Sequence, residues 1–513
     1  MIKALLIHPP SPVINGSPPL SLAYLGAVLE RKGCLVRIID AAAPYARYNI
    51  EDIKEEARQF KPDLIAITMS TTFVKFAYQL TNALSEIPSL IIAGGPHPTM
   101  LAEEVLGHNV DIAIKGEGEE VISEIVNFIE GKTDLKSIAG ICYLDTSKRI
   151  IHTSFRRPIK ILEELPFPAK YLFKHSDYVK SDYEFIRYGN IITSRGCPYK
   201  CIFCSSKILG TEFRYRTPKN IIEEIRFIQD QYGVEMFFFL DDVFTFDHKR
   251  VNEFCKLARG LSKPINWTCI TRIDLINPEL LKEMKEAGCY SITYGIETGS
   301  QQTLKLIEKK IDLDRVEQCI NLTKYFKIKP HASFMFGFPW EEVCDIKRTR
   351  SLLKSIAPNL TYIVNGGILI PYPGTEIYNR YKDTYSNIKE WWLKIDLRWW
   401  GYSKIKDKPL LPLFERLFFK DYYILKANFF NYSDVMILEI KKITDFIGRF
   451  NLYMYSKRLT NRPMLLYFYK SMLFLTVKLS KLIHRINHLL EKRLLIPINH
   501  IIRLNIQRIF IEK

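Results

Sequence analysis

Three cysteines in the run Arg195-Gly196-Cys197-Pro198-Tyr199-Lys200-Cys201-Ile202-Phe203-Cys204 are spaced C-x3-C-x2-C, shortly after the apolar run Asn190-Ile191-Ile192. Three thiolates from one tight loop can ligate three irons of a cubane iron–sulfur cluster and leave the fourth open for chemistry. A structural zinc site wants a fourth Cys or His, usually from a second short-spaced knuckle. Here Cys34, Cys142, Cys255, Cys269, Cys289, Cys319 and Cys344 are scattered singly. Three cysteines within eight residues cannot all pair among themselves, and no secretory leader is expected before the apolar run that starts at Lys3. The spacing therefore favours cluster ligands over zinc or buried thiols.

The segment from Arg195 to Cys204, with the aromatic Phe203 just before the last cysteine, resembles the signature of radical S-adenosylmethionine (SAM) enzymes. In that family SAM chelates the open iron of a 4Fe-4S cluster through its amino and carboxylate groups. An electron then splits the sulfonium into methionine and a 5′-deoxyadenosyl radical, which takes hydrogen from substrate. The resemblance implies that Cys197, Cys201 and Cys204 hold the cluster, that Phe203 lies at the SAM site, and that a flavodoxin or ferredoxin supplies the electron.

The elements that must position this loop follow a strand-then-helix beat. Apolar, β-rich runs near 189–194, 235–241, 264–270, 290–296, 329–336 and 361–370 alternate with amphipathic stretches. One such stretch places Ile221, Ile225 and Ile228 at helical spacing behind Pro218, a residue suited to a first turn. Six units make a partial (β/α)6, TIM-like barrel, whose working groups collect at the carboxyl ends of strands. Those ends read Leu240-Asp241-Asp242, Thr271-Arg272-Ile273-Asp274, Gly295-Ile296-Glu297 and Phe336-Gly337-Phe338-Pro339. By resemblance, Glu297 and Arg272 hold the polar parts of SAM, Asp241 belongs to the same face, and Gly295 and Gly337 admit the adenosine close to the backbone. The other reading of Asp241, Arg272 and Glu297 is a buried ionic network that only ties strands together.

Residues 1–145 read as a doubly wound parallel sheet. Ala4–Ile7, Val36–Ile39, Leu64–Ile67, Leu90–Ala93 and Asp111–Ile114 are short, continuously apolar and separated by helix-length segments. Loops at three strand ends stand out: Pro9-Pro10, Gly94-Gly95-Pro96-His97 and Gly116-Glu117-Gly118. Open α/β sheets bind ligands at that edge, although glycine and proline also simply turn the chain. The loops resemble those of the cobalamin-binding domain fused to one branch of radical SAM barrels, a branch that also shares the turn Pro371-Tyr372-Pro373-Gly374. The resemblance adds cobalamin to SAM and the cluster, with Pro9, Gly94, Gly95, His97, Gly116, Glu117 and Gly118 as its candidate neighbours. The Asp-x-His pattern that supplies a cobalt ligand in many cobalamin proteins is absent, and His8 and His97 are the histidines near the edge. Cobalt is therefore expected to lack a histidine lower ligand.

At 513 residues the chain is too long for one core, and its 47% hydrophobic, 25% charged composition is that of an ordinary globular protein. The expected division is a cobalamin-type domain over 1–145, a connector over 146–188, the barrel over 189–400 and a mainly α-helical extension over 401–513. That extension holds 21 Lys and Arg against 8 Asp and Glu, so +13 of the chain's +17 lies there. Residues 470–493 set Leu475, Leu479, Leu482, Ile486 and Leu490 on one helical face, with Lys478, Lys481, Arg485 and Lys492 roughly opposite. A solvated basic back explains this pattern as well as membrane contact does. Interleaved aromatics such as Phe418-Phe419 and Tyr467-Phe468-Tyr469 tilt the reading toward an anionic lipid interface. Charges interrupt every apolar run well short of a span, and no nucleic-acid-binding motif is recognisable. Trp391-Trp392 and Trp399-Trp400 could line a channel or serve as core.

The reading is a cytoplasmic enzyme, peripheral to the inner face of the membrane, that modifies an unactivated carbon of a small, lipid-like substrate by methyl transfer. Its alternatives are radical cyclisation or rearrangement without methyl transfer, and a non-catalytic cobalamin or redox sensor.

Overall fold

The computed structural model describes residues 1–11, 14–180, 182–394 and 427–458; Trp399-Trp400 and the amphipathic segment 470–493 lie outside them. The chain divides into two compact units, Met1–Gly448 and Arg449–Lys513, and of the second only the end of the helix Asp434–Arg458 is described.

The first sheet contains β1 (Lys3–His8), β2 (Leu35–Asp40), β3 (Leu64–Thr68), β4 (Leu90–Gly94), β5 (Ile112–Ile114), β6 (Ile141–Leu144) and β7 (Ile150–His152), in the order β2-β1-β3-β4-β5-β6-β7. The first five are parallel, and Ala4 to Ile7 are completely buried, as strands covered on both faces by helices must be. β6 and β7 pair antiparallel, and they carry the sheet beyond residue 145. The reason is connection length: five residues join β6 to β7, and a parallel crossover needs a dozen or more. The order reverses between β1 and β3, which opens a crevice at their carboxyl ends.

The connector runs through short 3₁₀ turns and is anchored by Lys170, whose Nζ donates to the carbonyls of Tyr188 and Asn190 at 2.8 and 2.5 Å. Burial pushes this ammonium down to about 8.

The second sheet is all parallel, in the order β15-β14-β13-β12-β11-β8, from β8 (Asn190–Ile191), β11 (Met236–Phe239), β12 (Asn266–Thr271), β13 (Cys289–Glu297), β14 (Lys329–Phe336) and β15 (Tyr362–Ile368). Each falls on an expected strand. A separate two-stranded ribbon, β9 (Ser194–Arg195) with β10 (Arg214–Tyr215), brackets the cysteine loop. The helix Pro218–Tyr232 starts where expected: Thr217 accepts from the Asn220 N–H, Pro218 occupies the first turn, and Gly233 ends it in the left-handed region. Ile221, Ile225 and Ile228 are its buried face. Trp391 and Trp392 are core: their indole N–H groups donate to the Pro371 carbonyl at 2.8 Å and to Glu104 Oε1 at 3.0 Å.

Candidate active site

The cysteine loop leaves β9 through Gly196, which has φ +84° and lies so close to the Glu212 carbonyl that a Cβ would stand 2.2 Å from its oxygen. Only glycine fits there. The three cysteines are free, with Cys201 buried and Cys197 and Cys204 half-buried. Burial pushes the Cys197 thiol up to about 11, with Asp242 and the other two cysteines adding to the rise. Burial also raises Cys201, while Lys309 and Arg272 pull it down. Such thiols give up their protons to a metal. Among the described residues no group of three His, Cys, Asp or Glu could hold a metal ion. A cubane takes each thiolate at a different iron, an arrangement that three thiolates on one loop suit.

The barrel's strand ends surround the loop. Arg272 spans Asp274 with Nε to Oδ1 and Nη2 to Oδ2, both 2.9 Å, and its guanidinium carbon lies 3.8 Å from the centre of the Tyr199 ring. Glu297 ends β13 at φ +72° and accepts from Lys309 Nζ at 2.5 Å. A Cβ on Gly295 would press into that ion pair, and one on Gly337 would press on the Tyr432 hydroxyl. Phe203 meets Phe338 edge-on at 6.0 Å, and Phe338 stacks on Trp340 at 5.5 Å. These apolar rings cover one side of the site.

Asp241 and Asp242 divide their work. Asp241 is buried and accepts from the Thr193 N–H and the Ser194 hydroxyl, each at 2.7 Å, and from the Thr193 hydroxyl, so it ties β11 to the turn between β8 and β9. Asp242 opens on a cavity and accepts from Ser206 at 2.9 Å, while the Ser206 N–H donates to Cys204 Sγ at 3.4 Å. Desolvation raises the Asp242 carboxyl, and Asp241 adds to it. Sequence reading singled out Asp241 and passed over Asp242, Lys309 and Tyr199. Adjacent residues at a strand end point to opposite sides, and the sequence alone does not say which one points in.

That cavity, about 350 Å³, is enclosed by the carboxyl edge of the first sheet and by β8, β9 and β11 of the barrel region. Its floor is apolar: Ala66, Ile67, Ile92 and Ile114. Gly94, Gly95, Gly116, Glu117 and Gly118 rim it, and Arg195, Gly196, Leu240 and Asp242 close the far side. A Cβ on Gly116 would project into open space. The apolar floor and the charged side chains of Glu117, Glu119, Arg195 and Asp242 fit a ligand with an apolar face and polar edges, and no histidine lines the cavity. His97 is held elsewhere: Nε2 is shared with Tyr78 at 3.0 Å and Glu104 at 3.2 Å, and Nδ1 meets Thr71 at 3.2 Å. His8 contacts the Pro9 carbonyl at 3.0 Å and is held below its ordinary pKa by burial, partly offset by Asp40. Neither His97 nor Pro9 lines the cavity. Glu117 does, but its carboxylate is gripped by Arg214 at 2.9 and 3.0 Å. Burial pushes that carboxyl up, and the two arginines beside it hold it below the usual range.

Comparison with known proteins finds relatives of both domains. Residues 191–353 match the radical SAM superfamily and residues 15–126 match the B12 binding domain. An uncharacterised methyltransferase of Pyrococcus horikoshii is 31% identical over 390 residues, covering 74% of this chain and 83% of the relative. The anaerobic magnesium-protoporphyrin IX monomethyl ester cyclase of Cereibacter sphaeroides is 28% identical, covering 72% of this chain and 61% of the cyclase. Among solved structures, the radical SAM methyltransferase TsrM of Kitasatospora setae, with cobalamin and a 4Fe-4S cluster bound, superposes with a TM-score of 0.62 at 17% identity, over 76% of this chain and 79% of that one. Among the described residues no helix is long and apolar enough to cross a membrane. The chain belongs to the radical SAM superfamily, in the branch that carries a B12-binding domain, and its cofactors are a 4Fe-4S cluster, SAM and cobalamin.

Proposed function

We propose that this enzyme opens an unactivated carbon of a hydrophobic small molecule and transfers a methyl group to it. The observation that carries the reading is a shared wall. The cavity built by the glycine loops is closed by Arg195 and Gly196, which lead directly into Cys197. When bound, the cluster and SAM supply the radical that abstracts hydrogen, and cobalamin supplies the methyl group, renewed by a second SAM. The chain's own contribution is placement and exclusion. Cys197, Cys201 and Cys204 would hold the cluster, and Glu297, Lys309 and Arg272 would meet the charged parts of SAM. Gly94, Gly95, Gly116 and Gly118 would border cobalamin. Leu240 lines the cavity yet stays half exposed, which suits an apolar neighbour, and the Phe203, Phe338 and Trp340 rings keep water out.

Ring closure or rearrangement without methyl transfer is the second reading, favoured by the identity with the cyclase. Counting products separates the readings. With cluster and cobalamin loaded under anaerobic conditions, methyl transfer yields S-adenosylhomocysteine in step with 5′-deoxyadenosine. Cyclisation yields 5′-deoxyadenosine alone. Absence of both from loaded, reduced protein would return the sensor.

The composition of 401–513, basic and rich in aromatics, supports a lipid-like substrate met at an anionic membrane surface. Cosedimentation with anionic vesicles that fades at high salt is the expected result, and equal binding to neutral vesicles would count against it.

A further inference from the structure

Two arginines and two glutamates join the rim of the cavity to the root of the cysteine loop. Arg195 and Arg214 are cross-strand neighbours in the β9–β10 ribbon. Like charges directly opposite one another destabilise a ladder, so something else must hold them there. Glu117, in the loop after β5, and Glu119, the first residue of the helix Glu119–Ile129, do so. Arg214 takes both oxygens of Glu117 at 2.9 and 3.0 Å, and Arg195 reaches Glu117 at 3.2 Å and Glu119 at 2.5 Å. All four are largely buried, with side-chain exposures between 3% and 16%. Glu117 also accepts from the Ile159 N–H at 2.7 Å, and Arg195 lies 5.3 Å from the Tyr24 ring, so each end of the cluster is also in contact with its surroundings. Glu117 and Glu119 line the cavity, and Arg195 stands two residues before Cys197.

Resting on the reading of the cavity as the cobalamin site, we propose that this clasp couples the two cofactor sites. Arg195 and Arg214 act as positioning residues: a filled cavity fixes the Gly116–Glu119 loop, the loop fixes Arg195 and its ribbon partner, and these hold the cysteine loop in the geometry that takes the cluster. Linkage makes the effect reciprocal, so a seated cluster must tighten cobalamin binding by the same factor.

The test titrates hydroxocobalamin into anaerobic full-length protein, once cluster-free and once with the cluster reconstituted. The readout is the ratio of the two dissociation constants. A purely structural role for the arginines would shift both constants and leave their ratio alone. The wild type should bind at least about fivefold more tightly with the cluster, the lower end of ordinary site coupling. In Arg214→Lys, which keeps the charge and loses the fork, and separately in Glu119→Gln, which keeps the shape, the ratio should fall toward one. A wild-type ratio of one, or variants that retain the full ratio, would overturn the clasp while leaving the cavity's assignment intact. Failure of both wild-type forms to bind hydroxocobalamin would overturn the assignment and the clasp together.

Discussion

The guanidinium of Arg272 lies 3.8 Å from the centre of the Tyr199 ring, so a residue at the end of β12 grips the loop that carries the cluster ligands. Asp274 fixes the plane of the guanidinium through two hydrogen bonds, and Nη2 also donates to the Lys310 carbonyl at 3.2 Å. A cation over an aromatic face is worth about 0.5–2 kcal/mol. In Arg272→Ala the reconstituted cluster should lose iron to a chelator several-fold faster, and Arg272→Lys, which keeps the charge but not the planar stack, should fall between. An unchanged release rate in the alanine variant would show that the stack does not hold the loop.

Each cysteine of the trio should be indispensable to the cluster. Cys197→Ala, Cys201→Ala and Cys204→Ala are expected to lower bound iron and sulfide sharply after reconstitution and to abolish 5′-deoxyadenosine formation, whereas Cys344→Ala, on the exposed surface, should do neither. Metal analysis of the wild type should find iron. Zinc in stoichiometric amount, with no sulfide, would contradict the cluster.

Gly337 carries a backbone requirement that can be measured by stability. Its φ is +85°, and a Cβ would stand 2.7 Å from the Tyr432 hydroxyl, which donates to the Gly337 carbonyl. Gly337→Ala should cost about 1–3 kcal/mol in denaturant unfolding, from strained backbone plus the clash. In a Tyr432→Phe background the same change should cost less, because the oxygen at 2.7 Å is gone while the backbone strain and the ring carbon at 3.0 Å remain. Equal costs in both backgrounds would remove the contact from the account.

Glu341 should impose a pH dependence of its own. Burial pushes this carboxyl up to about 7 from 4.5, against hydrogen bonds from the Phe338 and Gly337 N–H groups and the Thr298 hydroxyl. A carboxyl whose pKa is higher folded than unfolded holds its proton more tightly in the native state. Its favourable contribution is therefore complete below pH 4.5 and is lost as pH rises through about 7. The full difference is about 3 kcal/mol. Glu341→Gln should remove that slope, so the stability difference between wild type and variant should shift in the variant's favour from pH 4.5 to 8. A difference that is flat across this range would place the ionised carboxylate, and not the acid, in the native protein.

The parallel strands of both sheets were legible because buried parallel strands must be continuously apolar and their connections must be helix-length, and neither property depends on distant contacts. Antiparallel β6 and β7 were harder to see, since three or four residues bordered by polar turns carry little periodicity. The cluster trio was legible too, because three ligands on one short loop are a local pattern.

From the chain's letters alone came the two α/β layers, the cysteine loop and the glycine-lined edge, all of which rest on local spacing and hydrophobic pattern. Tertiary structure decided which side chains are spent. It committed Asp241 to Thr193 and Ser194 and left Asp242 on the cavity, engaged His97 with Tyr78, Glu104 and Thr71, and set Arg195 and Arg214 against Glu117 and Glu119. His97 and Glu104 are seven residues apart, and the other partners lie between 19 and 97 residues apart. Whether a buried charge or ring nitrogen is free for a ligand is settled by the hydrogen bonds such distant groups supply, and no local pattern encodes them.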